Sequence, residues 1–277
     1  MHKILQPAEF VAALEPSLRR AANIARECDG RVPNTPKSDE VSKVKAALTR
    51  ADLECQEVIL EAIWEHCPGV SLRAEEDTPS VARFPELAAA TVVIDPIDGT
   101  FHFYLGQGGP YAIIIGLATG NKYDAALVAL PREQFAFEGV RDSGACMVDA
   151  DGIRRPAVLH NDARRVLVSH GLDSAGVAVL HERGYEVQRA CGGAISVAPM
   201  IPGVCAGLRI ANNDPPNVSI RGRVGVLIAR EAGAIAVRED GSEFPDDIEE
   251  PARTLLIAGN RDHIEALEAA VGAISTT

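Results

Sequence analysis

The order of helical and extended patterns predicts an α+β chain folded as two closely packed halves, not a simple alternation of strand and helix. Three observations carry this. Two long helical patterns come first, a run of strand candidates without intervening helices continues to Val148, and strands and helices alternate from Val166 onward. The division falls near residue 155, giving an N-terminal half of 1–155 and a C-terminal half of 156–277.

Phe10, Val11, Leu14, Leu18, Ala21, Ile24 and Ala25 recur at helical spacing over 8–28, with Pro7 at the start. Residues 31–39 are rich in turn formers and read as a loop. A second helix is predicted from about Ser42 to His66, because Val44, Ala47, Leu48, Ala51, Val58, Ile59 and Ile63 fall largely on one face; Cys67–Pro68–Gly69 stops it. A short extended piece, Val70–Leu72, leads to Glu75–Glu76, and Thr91–Ile94 is a strand that ends in a turn stiffened by Pro96. Tyr111–Leu117, Ala125–Leu130, Gln134–Val140 and Cys146–Val148 complete an antiparallel run. After a passage at 156–161 come strand 166–169, helix 174–183, strand 185–189 and helix 193–201. A helix near 219–232, strands 235–237 and 255–258, and a final helix at 261–271 follow, the last with Asn260 as N-cap and Ile264, Leu267 and Val271 on its apolar face.

Composition narrows the function. Of 277 residues, 47% are hydrophobic and 24% charged, ordinary for a globular protein with a large core. Only 4% are aromatic, which argues against a stacking platform for bases or sugars. A formal net charge of −12 repels nucleic acid and anionic membrane, so a phosphate ligand has to be held locally. The six cysteines (28, 55, 67, 146, 191, 205) form no C-x-x-C pair and read as reduced thiols. With neither a secretory apolar region nor a long apolar run, a cytoplasmic protein is expected.

Chemistry concentrates in Asp95–Pro96–Ile97–Asp98–Gly99–Thr100. A strand delivers two carboxylates three positions apart, a hard oxygen donor set suited to Mg²⁺. Gly99 admits close approach of an anion, and the Thr100 hydroxyl can orient a water or an oxyanion. An isolated D-x-x-D-G is more often a turn after a buried strand. The haloacid-dehalogenase pattern D-x-D-G-T does not apply, since its nucleophilic position is Pro96 here.

The full pattern D-P-I-D-G-T resembles the inositol monophosphatase family of Mg²⁺-dependent phosphomonoesterases, within the wider fructose-1,6-bisphosphatase-like group. Other segments resemble it in the same order: Thr49–Asp52 matches a threonine–aspartate pair, Glu75 the metal-binding glutamate of a G-E-E element with Ala74 in place of glycine, and Arg189–Ala194 an R-S-x-G-[ST]-A element. Arg230–Ala234 resembles an E-A-G-G turn, and Leu255–Asn260 the usual last strand. Alone, Glu75 reads as a loop carboxylate, Asp52 as a helix-surface acid and Gly192–Gly193 as a helix-entry loop; their joint order gives the resemblance its weight. It implies a layered α-β-α-β-α sandwich of the sugar-phosphatase type, a homodimer and a small phosphorylated substrate. It further implies that Glu75, Asp95 and the Ile97 carbonyl hold a first Mg²⁺, with Asp98 beside them. Glu75 and Thr100, the latter linked to Asp52, would orient and deprotonate the attacking water. Gly99, Thr100, Gly192, Gly193 and Ala194 would line the substrate.

Two departures stand out. The family carries W-D at the start of the penultimate helix, its Asp completing a second metal site; counted back from Glu231–Ala232–Gly233, those positions are Ile220 and Arg221. Two like charges about 4 Å apart cost on the order of 4 kcal/mol at an effective dielectric of about 20, so a second Mg²⁺ and a guanidinium exclude one another there. Asp214, in an extended loop, is one candidate replacement ligand; Arg221 is itself a candidate phosphate binder. Alternatively the chain is a weak or inactive relative that binds an anionic small molecule or acts in regulation, or Arg221 simply points outward. Secondly, His102 stands where the family has asparagine, and no acidic residue occurs around Leu208–Ala211, where inositol-type enzymes contact sugar hydroxyls. The resulting expectation is a Mg²⁺-dependent phosphomonoesterase acting on a small phosphorylated polyol, sugar or nucleotide.

Overall fold

The computed structural model describes residues 5–35, 49–106 and 109–274. The expected loop beyond residue 35 and the first turns of the expected second helix, 42–48, lie outside the described residues. Helix α1 (Pro7–Cys28) opens with Pro7 in its first turn and a capping box between Gln6 and Glu9. Helix α2 (Arg50–His66) does not run through Thr49, which is extended at φ −128°, ψ 165°. The physical reason is a second capping box: the Thr49 amide and hydroxyl donate to Asp52 Oδ2 at 2.8 and 2.6 Å.

Seven strands follow: β1 (Ser71–Arg73), β2 (Ala90–Asp98), β3 (Ala112–Thr119), β4 (Lys122–Leu130), β5 (Phe135–Val140), β6 (Ala145–Asp149) and β7 (Arg154–Pro156). They make one sheet in chain order, with β1–β2 parallel and the other pairs antiparallel. The short helix α3 (Thr100–Tyr104) lies between β2 and β3. The remaining strands are β8 (Arg165–Val168), β9 (Glu186–Arg189), β10 (Val204–Ile210), β11 (Ile235–Val237) and β12 (Thr254–Ala258). They form a mixed sheet in the order β11-β12-β10-β8-β9. Helices α4 (Ser174–Glu182), α5 (Gly192–Ser196), α6 (Val224–Glu231) and α7 (Arg261–Gly272) complete the fold.

The two-residue period of the strands sorts these elements into five layers. On β2–β4, Val92, Ile94, Ile113, Ile115 and Leu127 pack with Phe10, Leu14, Leu18, Ile59 and Ile63 of α1 and α2. Their neighbours Val93, Ala112, Ile114, Ala126 and Val128 face inward, onto Ala194, Ile195, Val224 and Ile228 of α5 and α6. Leu167, Leu255 and Ile257 of the second sheet close the same central core. Val166, Val168, Leu208, Leu256 and Ala258 face the other way, onto Leu180 of α4 and Ile264 and Leu267 of α7. Each fully buried aliphatic side chain contributes about 1.5–3 kcal/mol. The chain is thus an α-β-α-β-α sandwich with two mixed sheets. No helix among the described residues is long and apolar enough to cross a membrane.

The sequence pattern does not reveal β10, the central strand of the second sheet, because Gly207 and Arg209 interrupt its apolar run. Gly207 is required there: a Cβ would sit 2.4 Å from the Ile195 carbonyl oxygen. Helix α3 and the edge strand β7 are also unforeseen, both being only a few residues long.

Candidate active site

The site gathers at the C-terminal end of β2. The strand does not turn at Pro96; it continues to Asp98 with a bulge, since β3 pairs Asp95 with Ile114 and then Asp98 with Ala112. The turn comes at Gly99, at φ +93°, where the chain enters α3. A Cβ there would also lie 2.7 Å from Cys191 Cβ, so glycine is required twice over.

Sheet register explains how Glu75 reaches Asp95. The parallel pair places Arg73 opposite Val93; two residues on, Asp95 continues β2 while Glu75 stands in the segment just past the end of β1. The Glu75–Glu76 turn is held from behind by Gln56, whose amide nitrogen donates to the Glu76 carbonyl at 2.6 Å and whose oxygen accepts from the Glu76 amide at 3.0 Å. Gln56 stands one helical turn after Asp52 on α2, so one helix face steadies two parts of the site. Sequence reasoning missed Gln56; its signal was a polar residue on an apolar helix face.

Asp52 is buried and accepts the Thr100 hydroxyl on Oδ1 at 2.9 Å, while its Oδ2 caps α2. Burial pushes its pKa up to about 6 against the hydrogen bonds from Thr49 and Thr100. The Thr100 oxygen is also 2.9 Å from the Ile97 carbonyl, so its single proton has two acceptors.

Asp95 is buried, and its Oδ1 makes no hydrogen bond. Burial, then the Glu75 and Asp98 charges, hold its carboxyl well above the usual range, with Arg221 opposing. Arg221 points inward: its Nε is 3.5 Å from Asp95 Oδ2 and its Nη2 3.9 Å from Glu75 Oε1. Burial works against its charge, but Glu75, Asp95, Asp98 and Glu76 raise its pKa. The turn carrying it is fixed from below, because Arg223 donates to the Val218 and Asp247 carbonyls and to Asn217 Oδ1 at 2.8–3.0 Å. Asp214 lies exposed in the preceding loop, and no contact joins it to the carboxylates among the described residues.

The glycine-rich segment closes the opposite side. The Gly193 amide donates to Asp98 Oδ2, and the Ala194 amide is directed at Cys191 Sγ at 3.4 Å, so both are engaged within the chain. Gly192 precedes them at the start of α5. His102, on α3, meets His170 with Nε2···Nε2 at 3.1 Å; the ring planes are near-parallel, 10° apart, with centroids 5.1 Å from one another. Burial lowers both imidazole pKa values, with the neighbouring His170 adding to it at His102 and Arg189 at His170.

The donor set can be weighed against a divalent cation. Hard carboxylates converge from the end of β2 and the segment after β1, and one buried oxygen lacks a partner, as a cation ligand would. Among the described residues no three His, Cys, Asp or Glu side chains are drawn together as a ligand cluster. What Asp95 and Glu75 share in this structure is Arg221. Asp95 and Glu75 are donors suited to a hard cation, and the Arg221 guanidinium stands beside both of them.

Residues 7–171 match the model of the inositol monophosphatase family. An inositol monophosphatase of Mesembryanthemum crystallinum is 27% identical over 139 residues, 50% of this chain and 49% of that protein. A second, inositol monophosphatase 1 of Solanum lycopersicum, is 26% identical over 137 residues, 50% of this chain and 48% of that protein. The chain thus spans about half the length of the curated relatives it matches. Among solved structures, the Thermotoga maritima IMPase superposes with a TM-score of 0.72 at 19% identity, covering 94% of this chain and 97% of that one. The extragenic suppressor protein SuhB of Bartonella henselae gives 0.74 at 17% identity, covering 95% and 99%. At these identities the likeness is one of fold.

Proposed function

The chain belongs to the inositol monophosphatase family, and on that premise we propose that it is a Mg²⁺-dependent phosphomonoesterase acting on a small phosphorylated polyol, sugar or nucleotide. The observation that carries this reading is the buried Asp95, with an unpartnered oxygen and two further carboxylates beside it. Glu75, Asp95 and the Ile97 carbonyl would hold the cation, with Asp98 next to them. The cation supplies positive charge for the phosphoryl oxygens and acidifies a water. The Thr100 hydroxyl, held by Asp52, orients the attacking water, and Glu75 accepts its proton. The start of α3 at Gly99–Thr100 and the Gly192–Ala194 segment flank the phosphate. Arg221 takes the place of a second cation, as a fixed charge toward the phosphoryl oxygens. A cytoplasmic location is supported by six free cysteines, and a homodimer follows only from the family resemblance.

A second reading is favoured by the ion pairs of Arg221 with Asp95 and Glu75: a protein that binds phosphate without turning it over. One titration separates the two. Phosphate release is measured against Mg²⁺ concentration, with calorimetry of Mg²⁺ and inorganic phosphate in parallel. Turnover that rises with one bound Mg²⁺ supports the enzyme. Metal-independent turnover overturns the metal reading, and phosphate binding without turnover selects the binding protein.

A further inference from the structure

Arg209 carries an inference about the substrate, which rests on the phosphatase reading above. It lies on β10 and reaches the seam between the Gly192–Gly193 segment and the Arg221–Gly222 turn. A Cβ built at Gly192 would fall 1.7 Å from Arg209 Nη1, and a Cβ built at Gly222 would fall 1.7 Å from the same nitrogen. Two separate loops therefore carry glycine where one guanidinium has to pass. Each is also one residue from a contact of the site: Gly193 with Asp98, and Arg221 with Asp95.

The guanidinium is not spent inside the protein. Its Nη2 donates weakly to Ser219 Oγ at 3.3 Å, the same oxygen that accepts from the Gly222 amide at 3.2 Å. Its Nη1 is buried and has no hydrogen-bond partner. Among the described residues no carboxylate lies within ion-pair distance of it, although the chain has 39 acidic against 27 basic side chains. Nη1 is sealed between the two glycines, so it fixes the guanidinium in place, and the remaining edge of this partly exposed arginine, with no carboxylate beside it in so acidic a chain, is what an anion from outside would meet. Its planar fork suits two oxygens of a carboxylate or phosphate.

We infer that Arg209 forms a subsite for a second anionic group on the substrate, a carboxylate or a phosphate separate from the scissile one. The substrate class is thereby narrowed from polyol monophosphates to phosphorylated sugar acids or bisphosphates.

The test is calorimetric binding to the full chain in Mg²⁺ buffer, using two matched series. One is glycerol 3-phosphate against 3-phosphoglycerate. The other is sorbitol 6-phosphate against 6-phosphogluconate and sorbitol 1,6-bisphosphate, which separates a carboxylate from a phosphate at the same carbon. In at least one series the member with a second anionic group is expected to bind roughly tenfold tighter than its counterpart without one. Arg209→Met is expected to abolish that preference while changing affinity for the member without the second anionic group less than about twofold. Arg209→Lys, which keeps the charge and loses the fork, is expected to reduce the preference and serves if the methionine variant does not fold. No preference in either series, or a preference unchanged in the variants, overturns the inference. Phosphate release from the same probes is scored separately: its absence overturns the phosphatase reading, and binding alone then decides the subsite.

Discussion

Glu75, Asp95 and Asp98 reach the site from the seven-stranded sheet, whereas Arg209 and Arg221 reach it from the five-stranded side. The acidic wall is braced throughout: Gln56 holds the Glu75–Glu76 turn, Asp52 holds Thr100, and the Gly193 amide holds Asp98. On the basic wall Arg221 pairs with the carboxylates opposite, while Arg209 keeps one guanidinium nitrogen without an acceptor. The stretch that matches the family model contains the acidic wall and ends before Arg209 and Arg221. The contrast teaches that the family-like carboxylates are braced within the matched stretch, while the wall opposite them is set by two arginines that lie outside it.

Removing a ligand from the acidic wall should have the largest effect. Asp95→Asn is expected to lower Mg²⁺-dependent phosphate release by about a thousandfold; a loss under tenfold would mean that the acidic wall is not where the chemistry occurs. Gly99→Ala attacks the joint between the walls, since its methyl would press on Cys191 at φ +93°. A loss of about 1–3 kcal/mol in denaturant unfolding is expected. Arg221→Ala relieves the basic wall's pressure on the ligands, and calorimetry should register Mg²⁺ binding roughly tenfold tighter than in the native chain. An unchanged affinity would show that the guanidinium and the cation do not compete.

The smallest effect concerns His102. Its pKa is lowered by burial and by His170, so the folded chain resists a proton that the unfolded chain accepts once pH falls below about 6.5. Stability from this group is therefore present at neutral pH and is lost as the solution is acidified. His102→Asn should remove that loss, so the Tm difference between native and variant narrows or reverses between pH 7 and pH 5, by about 2 °C. A constant difference would show that the pair is electrostatically inert.

Most of the fold was legible because its elements announce themselves through period and punctuation. The α1 apolar stripe, the strands of the antiparallel run and the Asn260 cap all fall within a few residues of their expected places. The failures share a cause: information held by a neighbour in space. Strand β10 contains Gly207 and Arg209 because Ile195 and the site seam require them, which its own seven residues do not reveal. The break at Thr49 was written in its spacing to Asp52, but an apolar pattern running across it obscured the cap. For the site, the motif marked Asp95, Asp98 and Gly99. The direction of Arg221 and the clamp by Gln56 became visible only in three dimensions.

Asp52 has a consequence for reading any mutational series on this protein. Its two oxygens serve separate masters, one ending a helix and the other aiming the Thr100 hydroxyl. A defect at this position is therefore never purely kinetic, because frayed secondary structure and misdirected reactivity arrive together. Selection for a tighter fold and selection for faster turnover act there on the same atom pair, which leaves this residue little room to drift.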